Sequence, residues 1–223
     1  MLPEAPHNFH DLGDVPTRAG MTRNGRIYRS GSPDKLTVEQ WFRISDLGIT
    51  SLVDLRNTDE IQDPGTRPDE VSSLSRPLED QRDHEFMDVW GEQLGSPAYY
   101  GEILARWPNL VASAFIAIAE APTGAVLIHC GAGRDRTGMI TAMLLILVGA
   151  SREQVLNDYE SAVREFNQRL LVGDLRAQSR TDTELDAHVA AARDELSAFL
   201  DALNVESFLL DAGVSRSQLS DRA

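Results

Sequence analysis

Apolar residues recur along this chain at two alternating periods. Trp41, Phe42, Ile44 and Leu47 fall at helical spacing and stop at Gly48, and Thr37 with Gln40 forms a capping box at the start. From Ile49 to Leu55 the pattern becomes nearly continuous after Ser51, with Leu52, Val53 and Leu55, as a strand buried on both faces requires. Val71 to Leu78 reads as a second strand and Asn109 to Ala121 as a helix. The turn Thr123-Gly124 then leads into the strand Ala125-Val126-Leu127-Ile128-His129. A helix from Thr137 to Gly149 follows, then one capped by Ser151 and Gln154. A long amphipathic helix begins at Thr181 and carries Leu185, Val189, Ala192, Leu196, Phe199 and Leu203, and Ser215 with Gln218 opens a last short turn. Asn8 to Ser32 reads as a loose β-hairpin edge. Asp80 to Gly101 is polar with scattered aromatics, which fits either a lid or a short surface helix. Strands alternating with helices predict an α/β fold, a central and mostly parallel twisted sheet flanked by helices. One domain over 1–223 is expected, with a reduced lid at 81–108 and a helical C-terminal part at 151–223.

Composition narrows the function. A formal net charge of -14 argues against nucleic acid or an anionic membrane as a partner held by bulk charge. Any phosphate must therefore be captured by a few concentrated donors. Lys35 is the only lysine, so arginine supplies the other basic side chains. The single cysteine excludes an intramolecular disulfide and cannot build a zinc site alone. The segment Met1 to His10 lacks the layout of a signal peptide, and the longest apolar run, Met139 to Val148, is far shorter than the roughly 20 residues of a membrane span. No integral membrane association is expected. The default location is cytoplasmic, although export without a signal leaves no mark in a sequence.

The chemistry gathers around that cysteine. A buried strand runs into His129-Cys130, then Gly131, Ala132, Gly133, Arg134, Asp135 and Arg136, and Thr137-Gly138 opens an apolar helix. Small residues let the backbone curl so that successive N–H groups form an anion nest, and the helix adds its positive N-terminal end. Arg136 brings a forked guanidinium that holds two phosphate oxygens at once. A thiolate at the centre of such a cradle is a phosphoryl acceptor. Expelling the leaving oxygen requires a general acid, and Glu79, Asp80, Asp83, Glu85, Asp88 and Asp135 are the candidates. A hydroxyl at Thr137 could assist departure of the thiol in a second step.

The segment His129 to Gly138 resembles the signature of protein-tyrosine-phosphatase-like enzymes. The chain as a whole is similar to the bacterial atypical tyrosine/lipid phosphatases related to the secreted mycobacterial phosphatase. Asn8-Phe9-His10-Asp11 with Gly25-Arg26-Ile27-Tyr28-Arg29-Ser30 resembles that family's opening. Leu47-Gly48-Ile49-Thr50, Asp54-Leu55-Arg56 and Glu60 resemble its next block, and Leu210 to Ser215 its C-terminal segment. The resemblance implies a two-step reaction through a phosphocysteine, with no metal or other cofactor, on phosphotyrosine, phosphoserine/threonine or phosphoinositides. It assigns Cys130 as nucleophile, Arg136 as clamp, and Asp80, in Pro77-Leu78-Glu79-Asp80, as general acid. Asp135 is expected to assist, with Asp54 and Arg56 tying loops beneath the site. Arg134 stands where the family usually has lysine, and a planar fork is not a compact ammonium. With Arg136 it leans towards polyphosphorylated or lipid substrates.

Two other readings compete. A rhodanese-like sulfurtransferase also places a cysteine loop between strand and helix, but has no need of Arg136-Thr137-Gly138. A pseudophosphatase would bind phosphorylated partners without turnover, which intact Cys130 and Arg136 oppose. The sequence leaves the oligomeric state open.

Overall fold

The structure, a computed structural model, describes residues 5–61, 65, 67–171 and 179–220. After the short strand β1 (His10–Asp11), β2 (Pro16–Thr17) and β3 (Gly20–Met21) pair as a separate ribbon, and β4 (Ile27–Ser30) returns beside β1. Helix α1 (Val38–Ser45) follows, with the expected Thr37–Gln40 capping box intact. The strands β5 (Ile49–Asp54), β6 (Ser72–Ser75) and β7 (Ala125–His129) complete a five-stranded sheet of order β1-β4-β7-β5-β6. Every neighbouring pair in it is parallel except β1 with β4.

Every residue of β7 is buried because the sheet is covered on both faces. Ala125 and Leu127 point to one side, with Trp41 and Ile44 of α1, Ile49 and Leu52. Val126 and Ile128 point to the other, where most of the helices lie. There α5 (Asp135–Leu147) is buried nearly all round, between the sheet and α6 (Arg152–Leu171), with α7 (Asp182–Ala202) beyond. The final helices are α8 (Val205–Asp211) and α9 (Arg216–Ser220). No single helix among the described residues is long and apolar enough to cross a membrane.

The chain after β6 is mostly helical. It holds α2 (His84–Trp90), two short 3-10 turns, α3 (Tyr100–Arg106) and α4 (Pro108–Ala119). Phe86 of α2 is fully buried, with its ring edge-on to Trp107 at 4.9 Å. This segment is thus packed onto the body of the protein.

Candidate active site

Parallel strands deliver their C-terminal ends to one edge, where ligands of open α/β sheets bind. Ser30, His129 and Asp54 sit side by side there in register, and Cys130 directly follows β7. Helix α5 begins at Asp135, two residues earlier than the sequence predicts, so Asp135 and Arg136 belong to its first turn and follow the cysteine loop directly.

The loop's carbonyls are turned outwards and held. Gly131 O accepts from the Ser32 amide at 3.0 Å and lies 3.1 Å from His7 Nε2. Ala132 O accepts from Asn8 Nδ2 at 2.9 Å, and Gly133 O from Arg29 Nη2 at 2.6 Å. Because a trans peptide points N–H opposite to C=O, three outward carbonyls turn the following amides inward as anion donors. The fully buried Arg29 also pairs with Asp158 of α6, fixing the loop to strand and helix together. Gly133 adopts φ +66°, and a Cβ there would meet the Gly31 nitrogen at 2.3 Å.

A cavity of about 130 Å³ lies over this loop, lined by Glu79, Gln81, Leu94, Tyr99, Cys130, Ala132, Asp135 and Arg136. Arg136 gives both terminal nitrogens to Glu60, the Nη2 to Oε2 contact being 2.7 Å, while Glu79 Oε1 lies 3.4 Å from Nη1. The two carboxyls diverge around this one cation. For Glu60, burial is outweighed by the Arg136 hydrogen bonds and charge, so its pKa lies below the ordinary value. For Glu79, burial dominates over Arg136 and raises it.

The other sequence candidates take distinct positions. Asp135 accepts from Arg134 Nε at 3.0 Å and from Tyr159 Oη at 2.9 Å, and its backbone oxygen accepts from Tyr100 Oη at 2.7 Å. Arg134 is itself buried, with its guanidinium carbon 4.8 Å above the Phe166 ring. It is not among the residues that line the cavity, and Asp135 and Phe166 hold its head. Asp80 is 42% exposed at its side chain, bonded to Arg82, and lines a neighbouring groove with Asn57 and Asp59 rather than the Cys130 cavity. Its neighbour Glu79 lines both that groove and the Cys130 cavity. Thr137 Oγ1 is buried without a hydrogen-bond partner among the described residues. Asp54 accepts from Arg56, which also pairs with Asp34, and His129 Nδ1 lies 3.8 Å from Asp54. Burial holds His129 below the ordinary imidazole value.

Sequence reasoning gave no role to Arg29, Asn8, Tyr100 or Tyr159. Asn8 and Arg29 stand inside motifs already noted, but their partners lie more than a hundred positions away. Glu60 also stands in a noted motif, and nothing local shows that it grips Arg136.

A Cupriavidus necator protein named for the tyrosine-protein phosphatases is 30% identical over 186 residues, covering 74% of this chain and 64% of that protein. The triple specificity protein phosphatase PtpB of Mycobacterium tuberculosis is 28% identical over 265 residues, covering 96% of this chain and 94% of its own length. Among solved structures, P. aeruginosa TpbA aligns with a TM-score of 0.48 at 18% identity, covering 92% of this chain and 91% of that one. A sequence model described as the tyrosine phosphatase family matches residues 3–221, and this chain belongs to that family.

Proposed function

We propose that this protein hydrolyses phosphomonoesters, phosphotyrosine foremost, through a covalent phosphocysteine on Cys130. The observation that carries this reading is the shared cavity of Cys130, Ala132 and Arg136 above a loop whose Gly131, Ala132 and Gly133 carbonyls are bound by groups outside it. A phosphate dianion there meets inward amides, the first turn of α5 and the Arg136 fork. The thiolate attacks phosphorus, the leaving oxygen departs protonated, and water then releases phosphate from sulfur. Asp135, fixed by Arg134 and two tyrosines, holds the first turn in place.

Phosphotyrosine is favoured because Leu94 and Tyr99 give the cavity apolar walls for a phenyl ring, and Arg136 is its only cationic lining residue among the described residues. A phosphoinositide would bring further phosphates against Glu79 and Asp135. The mycobacterial relative's name includes triple specificity, so phosphoserine and phosphoinositide substrates belong in the test.

The experiment is hydrolysis of para-nitrophenyl phosphate and a substrate panel by wild type and Cys130→Ser, with chelator present. Turnover that survives the chelator and vanishes in the variant supports the reading. Activity retained by Cys130→Ser would defeat it.

A further inference from the structure

Position and chemistry set Glu79 apart from every other carboxyl near the loop. It follows β6 on the segment Pro77-Leu78-Glu79-Asp80, and its side chain is 1% exposed. It lines the cavity that holds Cys130. Its Oε1 accepts from Gln81 Nε2 at 3.0 Å, whereas Oε2 is buried without a hydrogen-bond partner among the described residues. A native protein rarely keeps such an oxygen idle, and functional sites are where exceptions concentrate. As an ionised group, Glu79 would be expected to claim Arg136, yet Glu60 takes both of that guanidinium's terminal nitrogens. Glu79 is therefore the member of the pair suited to carry a proton.

We propose that Glu79, and not its neighbour Asp80, is the general acid of the first step. The proposal rests on the phosphocysteine reading above. As Cys130 Sγ bonds to phosphorus and the P–O bond to the leaving group breaks, the departing oxygen takes the Glu79 proton. The carboxylate left behind lies 3.4 Å from Arg136 Nη1 and still accepts from Gln81, so both groups stabilise the product of proton transfer. In the second step that carboxylate takes a proton from the attacking water, the S–P bond breaks, and the acid is restored with phosphate. The opposite displacements of Glu60 and Glu79 around one arginine support this division of labour, since paired groups driven apart commonly mark acid and counter-charge. Asp80 lacks the placement, being exposed and engaged by Arg82.

Wild type, Glu79→Gln, Glu79→Asp and Asp80→Asn are compared on para-nitrophenyl phosphate, whose phenolate leaves readily, and on a phosphotyrosine peptide, whose phenolate leaves poorly. Glu79→Gln is expected to lower kcat on phosphotyrosine by roughly 100-fold or more and on the nitrophenyl ester much less. Glu79→Asp should fall between it and wild type. Asp80→Asn should follow wild type on both substrates. Equal losses on both substrates with a raised KM would show that Glu79 only steadies Arg136, and would overturn the proposal. A leaving-group effect confined to Asp80→Asn would overturn it too. The phosphocysteine reading fails separately, on turnover that survives Cys130→Ser whatever Glu79 does.

Discussion

Glu60 and Glu79 compete for one guanidinium, and their contributions to stability have opposite signs. The Glu60 pKa is lower in the folded protein than the ordinary 4.5, so its stabilisation is present above that value and is lost as pH falls through the folded one. The Glu79 pKa is raised above the ordinary 4.5, so the folded state is favoured below that value and loses ground as pH rises through the folded one. Glu60→Gln should therefore lower the melting temperature at pH 7, and Glu79→Gln should raise it. Both differences should shrink on titration towards pH 4, below the ordinary glutamate range. Melting curves of the three proteins across that range provide the measurement, and equal signs at pH 7 would contradict the arrangement. A gain in stability at Glu79 would also fit the usual trade between stability and activity at working residues.

Arg134 is the residue whose meaning the structure changes most. Read as a loop charge it pointed to polyphosphorylated substrates, but its head is committed to Asp135 and the Phe166 ring. Arg134→Lys would keep the charge and lose the fork and the stacking, at a cost of about 1 kcal/mol or more. The expected result is a lower melting temperature with an unchanged ratio of phosphotyrosine to phosphoinositide turnover. A changed ratio would restore the specificity role.

At the scale of elements, the N-terminal strap holds the cysteine loop directly, and Arg56 at the end of β5 ties the neighbouring strand ends together. Asn8 is fully buried, adopts φ +55°, and its Nδ2 holds the Ala132 carbonyl. Asn8→Ala removes that bond and places alanine where asparagine is better tolerated, for roughly 1–3 kcal/mol. Because the lost bond orients a loop peptide, kcat/KM on para-nitrophenyl phosphate should fall as well. A drop in melting temperature with intact kcat/KM would make the strap merely structural. Arg56 bridges Asp54 and Asp34 with its side chain 6% exposed. Arg56→Ala would strand two carboxylates and should cost about 3–5 kcal/mol.

These two supports also show which features were legible. The strand Ala125–His129 was predicted residue for residue, because burial on both faces writes an unbroken apolar run that ends where the loop begins. The capping box at Thr37 has its partner three residues away, within reach of pattern reading. The strap was invisible because its contacts to the cysteine loop span more than a hundred positions. The choice between Glu79 and Asp80 turns on which of two consecutive side chains faces inward beyond β6. Composition is silent about that parity, and family likeness pointed to the exposed one of the two.

For the molecule as a whole, a net charge of -14 sets the approach of substrate against the chemistry of the site. In the proposed mechanism, capture of phosphate is local, through one arginine, one helix end and a few amides. Diffusion towards it crosses a field that repels dianions, and the groove beside the cavity adds Asp59 and Asp80. Two phosphotyrosine peptides with the same core, one flanked by arginines and one by glutamates, separate these effects. At low ionic strength the basic peptide should have the higher kcat/KM. Raising salt from about 0.02 M to about 0.5 M shortens the screening length to a few ångströms, so kcat/KM for the acidic peptide should rise and that for the basic peptide should fall. If both fell in parallel, the approach would be governed by the phosphate cradle alone. The protein's overall charge would then have no part in selecting its substrates.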